Sequence, residues 1–212
     1  MRPGEIIRIS NQTGKNVLCS VTEVTDSFVS ADILEESADT ELPAQIVLFQ
    51  GMAKGERMEM VIEKAVELGA AQIVPVATRY SVVRLDQKKA ANKQKRWQAI
   101  AESAAKQSKR SRIPEICMPV DFEKAVSMAK GMDLILVPYE NERGMQGTKE
   151  SISKICPGTV IGIFIGPEGG FSEEEIEVLN GFAEVISLGK RILRTETAAI
   201  TTLSMLMLEL ER

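Results

Sequence analysis

Histidine occurs nowhere in the 212 residues, and cysteine occurs only three times, at Cys19, Cys117 and Cys156. Without imidazole the chain cannot build a Ser-His-Asp or Cys-His nucleophile system, or a zinc site that contains histidine. The cysteines are too far apart to form a CxxC pair, so thiolates do not replace the missing imidazole. We therefore expect no metal centre and a chemistry in which imidazole takes no part.

Long apolar runs are also missing from this sequence. No stretch approaches the roughly 18 residues that a membrane-spanning helix needs, and residues 1–5 lack the apolar segment of a signal peptide. The few, odd-numbered cysteines are typical of a reducing compartment and not of a disulfide framework. These absences predict a cytoplasmic protein with no membrane association.

The net charge is only −4, but the charges are distributed unevenly. Residues 1–45 carry three basic and eight acidic side chains, whereas residues 88–112 carry nine basic side chains and one acidic side chain. Such a run is usually a solvated helix face, yet this one is concentrated enough to suit phosphate. Aromatic residues make up 4% of the chain, so RNA recognition would depend on folded shape and backbone, with one base drawn out. The candidate RNA-binding residues are Lys54, Arg57, Arg79, Arg84, Lys106, Arg110 and Arg112.

The first forty residues have the pattern of short strands. Apolar and polar residues partly alternate over residues 5–9, 16–24 and 28–34, with a predicted turn at residues 11–14. Three strands do not easily close a core by themselves, which favours a small barrel attached to a larger unit. Residues 35–43 are polar and acidic, as in a linker or an ordinary long loop. We place the domain boundary between residues 44 and 45.

From residue 45 the pattern changes to alternating strands and helices, which predicts an α/β domain over residues 45–212. Strands are predicted at residues 46–49, 72–77, 117–120, 133–138, 160–165 and 185–188. The apolar runs at 134–137 and 160–165 indicate parallel strands covered on both faces. Helices are predicted around residues 58–66, from residue 95 to residue 110, after a capping box of Ser172 and Glu175, and over residues 195–211.

Two glycine-rich loops follow predicted strands of this domain. The first is Gly166-Pro167-Glu168-Gly169-Gly170, and the second runs from Gly189 to Arg194 before the last helix. Either loop can be a tight turn and nothing more, and Arg194 and Glu196 can simply pair on the surface. In open α/β sheets, however, ligands bind where loops converge at the carboxyl ends of strands. The backbone amides at the helix start favour an anion and the nearby glutamates oppose one, while bare carbonyls can instead bind the edge of an adenine, so both ligands stay open.

The motifs of this chain resemble those of the RsmE-type RNA methyltransferases of the SPOUT class, which methylate the ring nitrogen N3 of a uridine in 16S ribosomal RNA. The resemblance covers residues 4–7, 54–83, 95–116, 165–177 and 188–198, and IGPEGGFSEEEIE with LGKRILRTETA is its most specific part. It implies a parallel sheet with a carboxyl-terminal trefoil knot, preceded by a PUA-like β-barrel, in a homodimer that acts on the small ribosomal subunit. The family carries a further amino-terminal segment, so the barrel is expected to be incomplete at its start.

The resemblance also implies that loops 136–140, 165–169 and 188–198 enclose S-adenosylmethionine. The implied cofactor-binding residues are Leu136, Val137, Pro138, Tyr139, Ile165, Gly166, Pro167, Glu168, Gly169, Leu188, Gly189, Ile192, Leu193, Thr195, Thr197 and Ala198. As catalytic residues we expect Arg194 to stabilise negative charge on the uracil carbonyl, and Glu196 or Glu168 to orient Arg194 or to accept the proton; the sequence does not identify the base. Two alternatives stay open: a SPOUT enzyme for a ribose 2′-hydroxyl or a transfer RNA, and a non-catalytic RNA-binding assembly factor.

Overall fold

The computed structural model of the protein describes residues 1–11, 15–83, 85–142 and 144–212. Most of the predicted turn at residues 11–14, and the candidate RNA-binding residue Arg84, lie outside these ranges. The described residues form two compact units, one of residues Met1–Glu41 and Ala105–Ile113, the other of residues Leu42–Ala104 and Pro114–Arg212.

The first unit contains an antiparallel sheet among the described residues. Its strands are β1 (Ile6–Ser10), β2 (Asn16–Val24) and β3 (Val29–Ser37), in the order β1-β2-β3. Cys19 and Val21 of β2 are its most buried apolar side chains, each 1% exposed. The three predicted amino-terminal strands are confirmed, and the last of them extends three residues beyond its predicted end at residue 34.

Residues 105–113 are attached to this unit by a buried polar network. The Glu41 carboxylate accepts hydrogen bonds from the backbone N–H groups of Ser111 (2.9 Å) and Arg112 (3.1 Å) and pairs with the Arg110 guanidinium. The Ser111 hydroxyl donates to Asp39 at 2.6 Å, and this bond, against the opposing effect of burial, holds the Asp39 pKa below its usual value. Asp39 and Glu41, which lie inside the predicted linker or loop of residues 35–43, therefore have specific partners within the unit.

The second unit is organised around a parallel sheet. Its strands within the described residues are β4 (Gln45–Gly51), β5 (Gln72–Ala77), β6 (Glu115–Ile116), β7 (Val120–Asp121), β8 (Leu134–Pro138), β9 (Val160–Ile165) and β10 (Glu184–Ile186). The order is β10-β8-β9-β4-β5-β6, with β7 also paired to β5, and every pairing is parallel. The predicted α/β class with a parallel sheet is confirmed.

The predicted strand at 117–120 is wrong, because β6 ends before it and only its last residue, Val120, lies in a strand. Pro119 has no N–H to donate to a ladder, so after Cys117, whose N–H bonds to Ile73 O at 2.9 Å, the pairing stops and resumes at β7.

The helices are α1 (Glu56–Glu67), α2 (Gln87–Gln107), α3 (Phe122–Ala129), α4 (Gln146–Ser153), α5 (Glu173–Asn180) and α6 (Thr195–Leu210). The apolar face predicted for α1 is buried as expected, and the capping box of Ser172 and Glu175 at α5 is confirmed. Helix α2 begins eight residues before its predicted start. Helices α3 and α4 were not predicted. The signal for α3 was available in its Asp121 cap and in apolar residues at i, i+3, i+4 and i+7, whereas α4 buries mainly hydroxyl side chains.

Strand β4 lies in the middle of the core. Phe49 stacks on Phe164 of β9 with ring centroids 4.5 Å apart, and both side chains are fully buried. Because β4, β8, β9 and β10 are parallel and adjacent, their carboxyl ends meet at one edge of the sheet. The loops that follow these strands are therefore brought together.

The end of β4 approaches the first glycine loop closely. A Cβ atom on Gly51 would lie 2.5 Å from the Pro167 nitrogen and 2.6 Å from its Cδ. Such distances leave no space for a side chain, so glycine is required here by the neighbouring loop.

Replacement Gly51→Ala is expected to lower the free energy of unfolding by about 1–3 kcal/mol, the usual cost of overpacking. Urea unfolding measures this loss, and Gly131→Ala is the matched control because a Cβ there meets no atom within 4 Å. Equal unfolding midpoints for the two variants would contradict the proposed close contact.

Candidate active site

A cavity of about 430 Å³ lies at this edge of the second unit. It is formed where β8, β9 and β10 end and where α6 begins. Its lining comprises Arg57, Pro138, Tyr139, Glu140, Ile165, Gly166, Pro167, Glu168, Gly170, Phe171, Leu188, Gly189, Arg191, Ile192, Leu193, Arg194, Thr195, Glu196 and Ala198. Four separated parts of the sequence thus contribute to one cavity.

Most of the predicted site residues come together here, but four of them do not line the cavity. Leu136 and Val137 are fully buried inside β8, Gly169 packs against Tyr80, and Thr197 is exposed on α6. Sequence reasoning did not assign Arg57, Gly170 and Phe171 to the cavity, and it included Glu140 and Arg191 only as members of the predicted loops 136–140 and 188–198.

The first glycine loop is held by a buried polar chain. The Thr195 hydroxyl donates to Gly166 O at 2.6 Å, and Gln50 Nε2 donates to Thr195 Oγ1 at 2.9 Å and to Gly51 O at 3.0 Å. Gln50 is fully buried, so this chain fixes the start of α6 to the end of β9 away from solvent. Gln50 was missed in the sequence, where its signal is a single polar residue at the end of an apolar strand.

The second loop begins directly after β10 and lies beside the end of β8. Tyr139 N donates to Ile186 O at 3.1 Å, and Gly189 N donates to Ser187 Oγ at 3.2 Å. Gly189 has a φ of 108°, in the region that favours glycine. The loop therefore turns sharply into the cavity wall.

Charges of both signs are balanced in the lining, with arginines at 57, 191 and 194 and glutamates at 140, 168 and 196. Glu168 Oε1 accepts from Arg57 Nη1 at 2.7 Å and from Lys54 N at 3.0 Å. Burial alone would raise the pKa of Glu168, but the hydrogen bonds from Lys54 and Arg57 outweigh it and the pKa is lowered. Glu168 is thus an ionised, paired group, which makes it a poor proton acceptor.

Glu196 is placed differently from Glu168. Its Oε2 atom is buried and has no hydrogen-bond partner among the residues that the structure describes. Arg194, which lies at the start of α6, lines the same cavity and is exposed. Within the described chain these two side chains form no ion pair with each other, so the surface-pairing interpretation does not apply. Among the described residues, Glu196, which has one buried oxygen without a partner, and Arg194, which has no ion pair, therefore line the same cavity.

The candidate RNA-binding residues have different environments. The prediction that Arg110 binds RNA is wrong. Its side chain is only 4% exposed and is paired with Glu41, so it is not available to RNA. Arg57 is engaged by Glu168 at the cavity. Lys54, Arg79, Lys106 and Arg112 are exposed.

Features of other site classes are not found in the described part of the chain. No group of three or more potential metal ligands occurs there, and no described helix is long and apolar enough to cross a membrane. Burial raises the pKa of the Cys117 thiol to about 11, so it is not a thiolate nucleophile at neutral pH.

Comparison with known proteins agrees with this geometry. Residues 40–207 match the family model of the RNA methyltransferase domain. The ribosomal RNA small subunit methyltransferase E of Bacillus subtilis is 37% identical over 210 residues, which cover 96% of this chain and 82% of that relative. The chain belongs to the ribosomal RNA small subunit methyltransferase E family.

Solved structures related to this methyltransferase E family member have the same fold. The methyltransferase E of Neisseria gonorrhoeae, bound to S-adenosylmethionine, matches with a TM-score of 0.81 and 32% identity over 96% of this chain and 83% of that chain. A protein from Legionella pneumophila, described as a methyltransferase in complex with the bound cofactor S-adenosylmethionine, matches with a TM-score of 0.83 and 38% identity over 97% and 84% of the two chains. The resemblance drawn from the motifs is therefore confirmed at the level of the family.

For this family member, Glu168→Gln is expected to lower the free energy of unfolding at pH 7 by about 1 kcal/mol, because a neutral amide binds Arg57 and the Lys54 N–H less strongly. The folded pKa of Glu168 lies below the usual 4.5, so the stabilisation is complete above that value and is lost as the pH falls through the folded pKa. Urea unfolding between about pH 7 and pH 3 should show the two proteins converging at the acid end.

The control for this measurement is Glu177→Gln, which replaces an exposed carboxylate on α5. A stability difference between wild type and Glu168→Gln that stays constant over the whole pH range would refute the ion pair as its source.

Proposed function

We propose that this protein uses S-adenosylmethionine to methylate the N3 ring nitrogen of a uridine in 16S ribosomal RNA. The proposal is based on the cavity that is lined by the two glycine loops and by Arg194 and Glu196 at the start of α6. The relative from Neisseria gonorrhoeae is bound to S-adenosylmethionine, and the relative from Bacillus subtilis is a small-subunit ribosomal RNA methyltransferase by name.

The cavity suits the cofactor in size and in chemistry. Its volume of about 430 Å³ lies within the range of roughly 300–1,000 Å³ that is common for small-molecule pockets. Backbone groups of the loops that contain Gly166 and Gly189 offer donors and acceptors to an adenosyl group. The balanced arginines and glutamates complement the carboxylate and the ammonium of the methionine part. We propose that the lining residues of loops 138–140, 165–168 and 188–198 hold the cofactor.

When bound, S-adenosylmethionine supplies a methyl group activated by its sulfonium, so no covalent enzyme intermediate is needed. Methylation would form a bond between the methyl carbon and N3, break the bond between that carbon and the sulfur, which leaves as a neutral thioether, and require the loss of the N3 proton. Glu196, which lines the cavity, accepts this proton. Arg194 stabilises the negative charge that develops on the uracil carbonyl oxygen. Glu168 is held by Arg57 and keeps the first loop in place.

Several finer features belong to the same proposal. We infer a SPOUT-type trefoil knot at the carboxyl end, a PUA-like barrel over residues 1–44 and a methyltransferase domain over residues 45–212. We also infer a homodimer that acts in the cytoplasm on the small ribosomal subunit, with Lys54, Arg79, Lys106 and Arg112 as exposed cations for RNA. Ile192 (84% exposed) and Leu208 (73% exposed) supply apolar surface for a dimer. Sedimentation equilibrium tests the dimer directly.

Isothermal calorimetry is expected to detect binding of S-adenosylmethionine by the wild-type protein and by Arg194→Ala alike. In single-turnover methylation of small ribosomal subunits, Arg194→Ala should be slower by about 10²–10³-fold, the usual effect of removing one group that stabilises a developing oxyanion. Lys149→Ala, which removes an exposed cation on α4, is the control and should react normally.

Two results would sink this assignment. If the wild-type protein does not bind the cofactor, the enzyme assignment is rejected and the RNA-binding assembly factor remains as the alternative. If nucleoside analysis finds the methyl group on a ribose 2′-hydroxyl or in transfer RNA, the proposed uridine N3 target is wrong.

Replacement Glu196→Gln is expected to lower the methylation rate by about 10²–10⁴-fold while cofactor binding persists, because an amide cannot accept the N3 proton. The rate of this variant should rise with pH more steeply than that of wild type, as hydroxide takes over the proton transfer. Glu177→Gln on α5 provides the control with the same chemical change. A near-normal rate for Glu196→Gln at neutral pH would show that another group is the base.

A further inference from the structure

Thr148 is a buried residue of α4 that does not line the cavity. Its side chain is only 1% exposed, and its hydroxyl makes two hydrogen bonds with one residue, Ser187. Thr148 Oγ1 donates to Ser187 O at 2.8 Å and accepts from Ser187 N at 3.0 Å. One hydroxyl group therefore satisfies both backbone groups of a residue 39 positions further along the chain.

The position of Ser187 explains why these two bonds are needed. Strand β10 ends at Ile186 and is the outermost strand in the order of the described sheet, so it pairs only with β8. Ser187 comes directly after that edge strand and is 1% exposed, so neither another strand nor water is available to its backbone. A buried N–H or C=O without a partner is costly. The Thr148 hydroxyl takes the place of a neighbouring strand.

Ser187 in turn connects Thr148 to the cavity. Ser187 Oγ accepts from Gly189 N at 3.2 Å, and the next residues, Leu188 and Gly189, line the cavity. Thr148 thus fixes the residue after which the second loop begins, although it does not line the cavity.

We propose that Thr148 is a positioning residue for S-adenosylmethionine binding and acts by holding the loop of residues 188–194 in its binding conformation. The inference depends on the proposed function. A loop that is already ordered does not have to be ordered when the ligand binds, which increases affinity. Once the cofactor is bound, its own contacts order the loop. Loss of Thr148 should therefore weaken cofactor binding much more than it slows the methyl transfer.

The test compares Thr148→Val, Thr148→Ser and Thr202→Val with wild type, all as the full chain. Valine has the shape of threonine and a similar helix propensity, so Thr148→Val removes only the hydroxyl. Serine restores the hydroxyl. Thr202 is also a fully buried helical threonine, but its hydroxyl donates to Ala198 O of its own helix at 2.8 Å, which makes Thr202→Val the control for losing a buried hydroxyl.

Three measurements test whether Thr148 positions the loop for cofactor binding. Calorimetry should give a Kd for S-adenosylmethionine that is about tenfold higher for Thr148→Val, which corresponds to about 1.4 kcal/mol, and close to wild type for Thr148→Ser and Thr202→Val. Steady-state methylation should show the same rise in KM for the cofactor, with kcat changed less than twofold. Hydrogen exchange without cofactor should be faster at the Ser187 and Gly189 amides of Thr148→Val only.

If the wild-type protein binds the cofactor and Thr148→Val binds it with the same Kd, this inference alone is overturned. An equal rise in Kd for Thr202→Val would also overturn it, because the effect would then follow general stability. A wild-type protein that binds no cofactor would instead reject the proposed function, and the role of Thr148 with it.

Discussion

The contact between the carboxyl end of β4 and the first glycine loop is the constraint on which the rest of the site depends. Gly51 leaves no room for a side chain against Pro167, and the adjacent Gln50 reaches Thr195 at the start of α6. The Thr195 hydroxyl then bonds to Gly166 O. Because Gln50 is fully buried, these polar groups have no water to replace a lost partner, which makes the arrangement specific as well as stable.

The two loops of the cavity are supported in the same way, by polar side chains packed behind them. Gln50 and Thr195 hold the first loop, and Thr148 and Ser187 hold the second. The loops can thus present backbone groups and glycines to a ligand without relying on bulky side chains of their own. A rigid, backbone-lined pocket is well suited to a cofactor whose methyl group must point in one direction, since alignment is a large part of the catalysis of methyl transfer.

Charged residues of the same type have different environments in this structure. Glu168 and Glu196 line one cavity, yet Glu168 is paired with Arg57 while an oxygen of Glu196 is left without a partner among the described residues. Arg110 and Arg112 are neighbours in a basic segment, but Arg110 is enclosed by its pair with Glu41 and Arg112 is exposed. Composition and spacing treat these residues as equivalent, so their separate roles come from their surroundings.

The sequence by itself determined most of the parallel strands, the cap of α5 and the two glycine turns, because apolar runs, the Ser172–Glu175 box and glycine preferences act over a few residues. Its motifs also identified the family and most of the cavity lining. The tertiary structure decided what depends on distant partners: Gln50 and Thr195 are 145 positions apart, and Thr148 and Ser187 are 39 apart. Helix α4 was missed for the same reason, since it is held by buried hydroxyl groups and not by an apolar stripe. Local periodicity carries no information about such long-range contacts. These contacts determine that Glu168 is paired whereas an oxygen of Glu196 has no partner among the described residues, and they hold the two loops of the cavity.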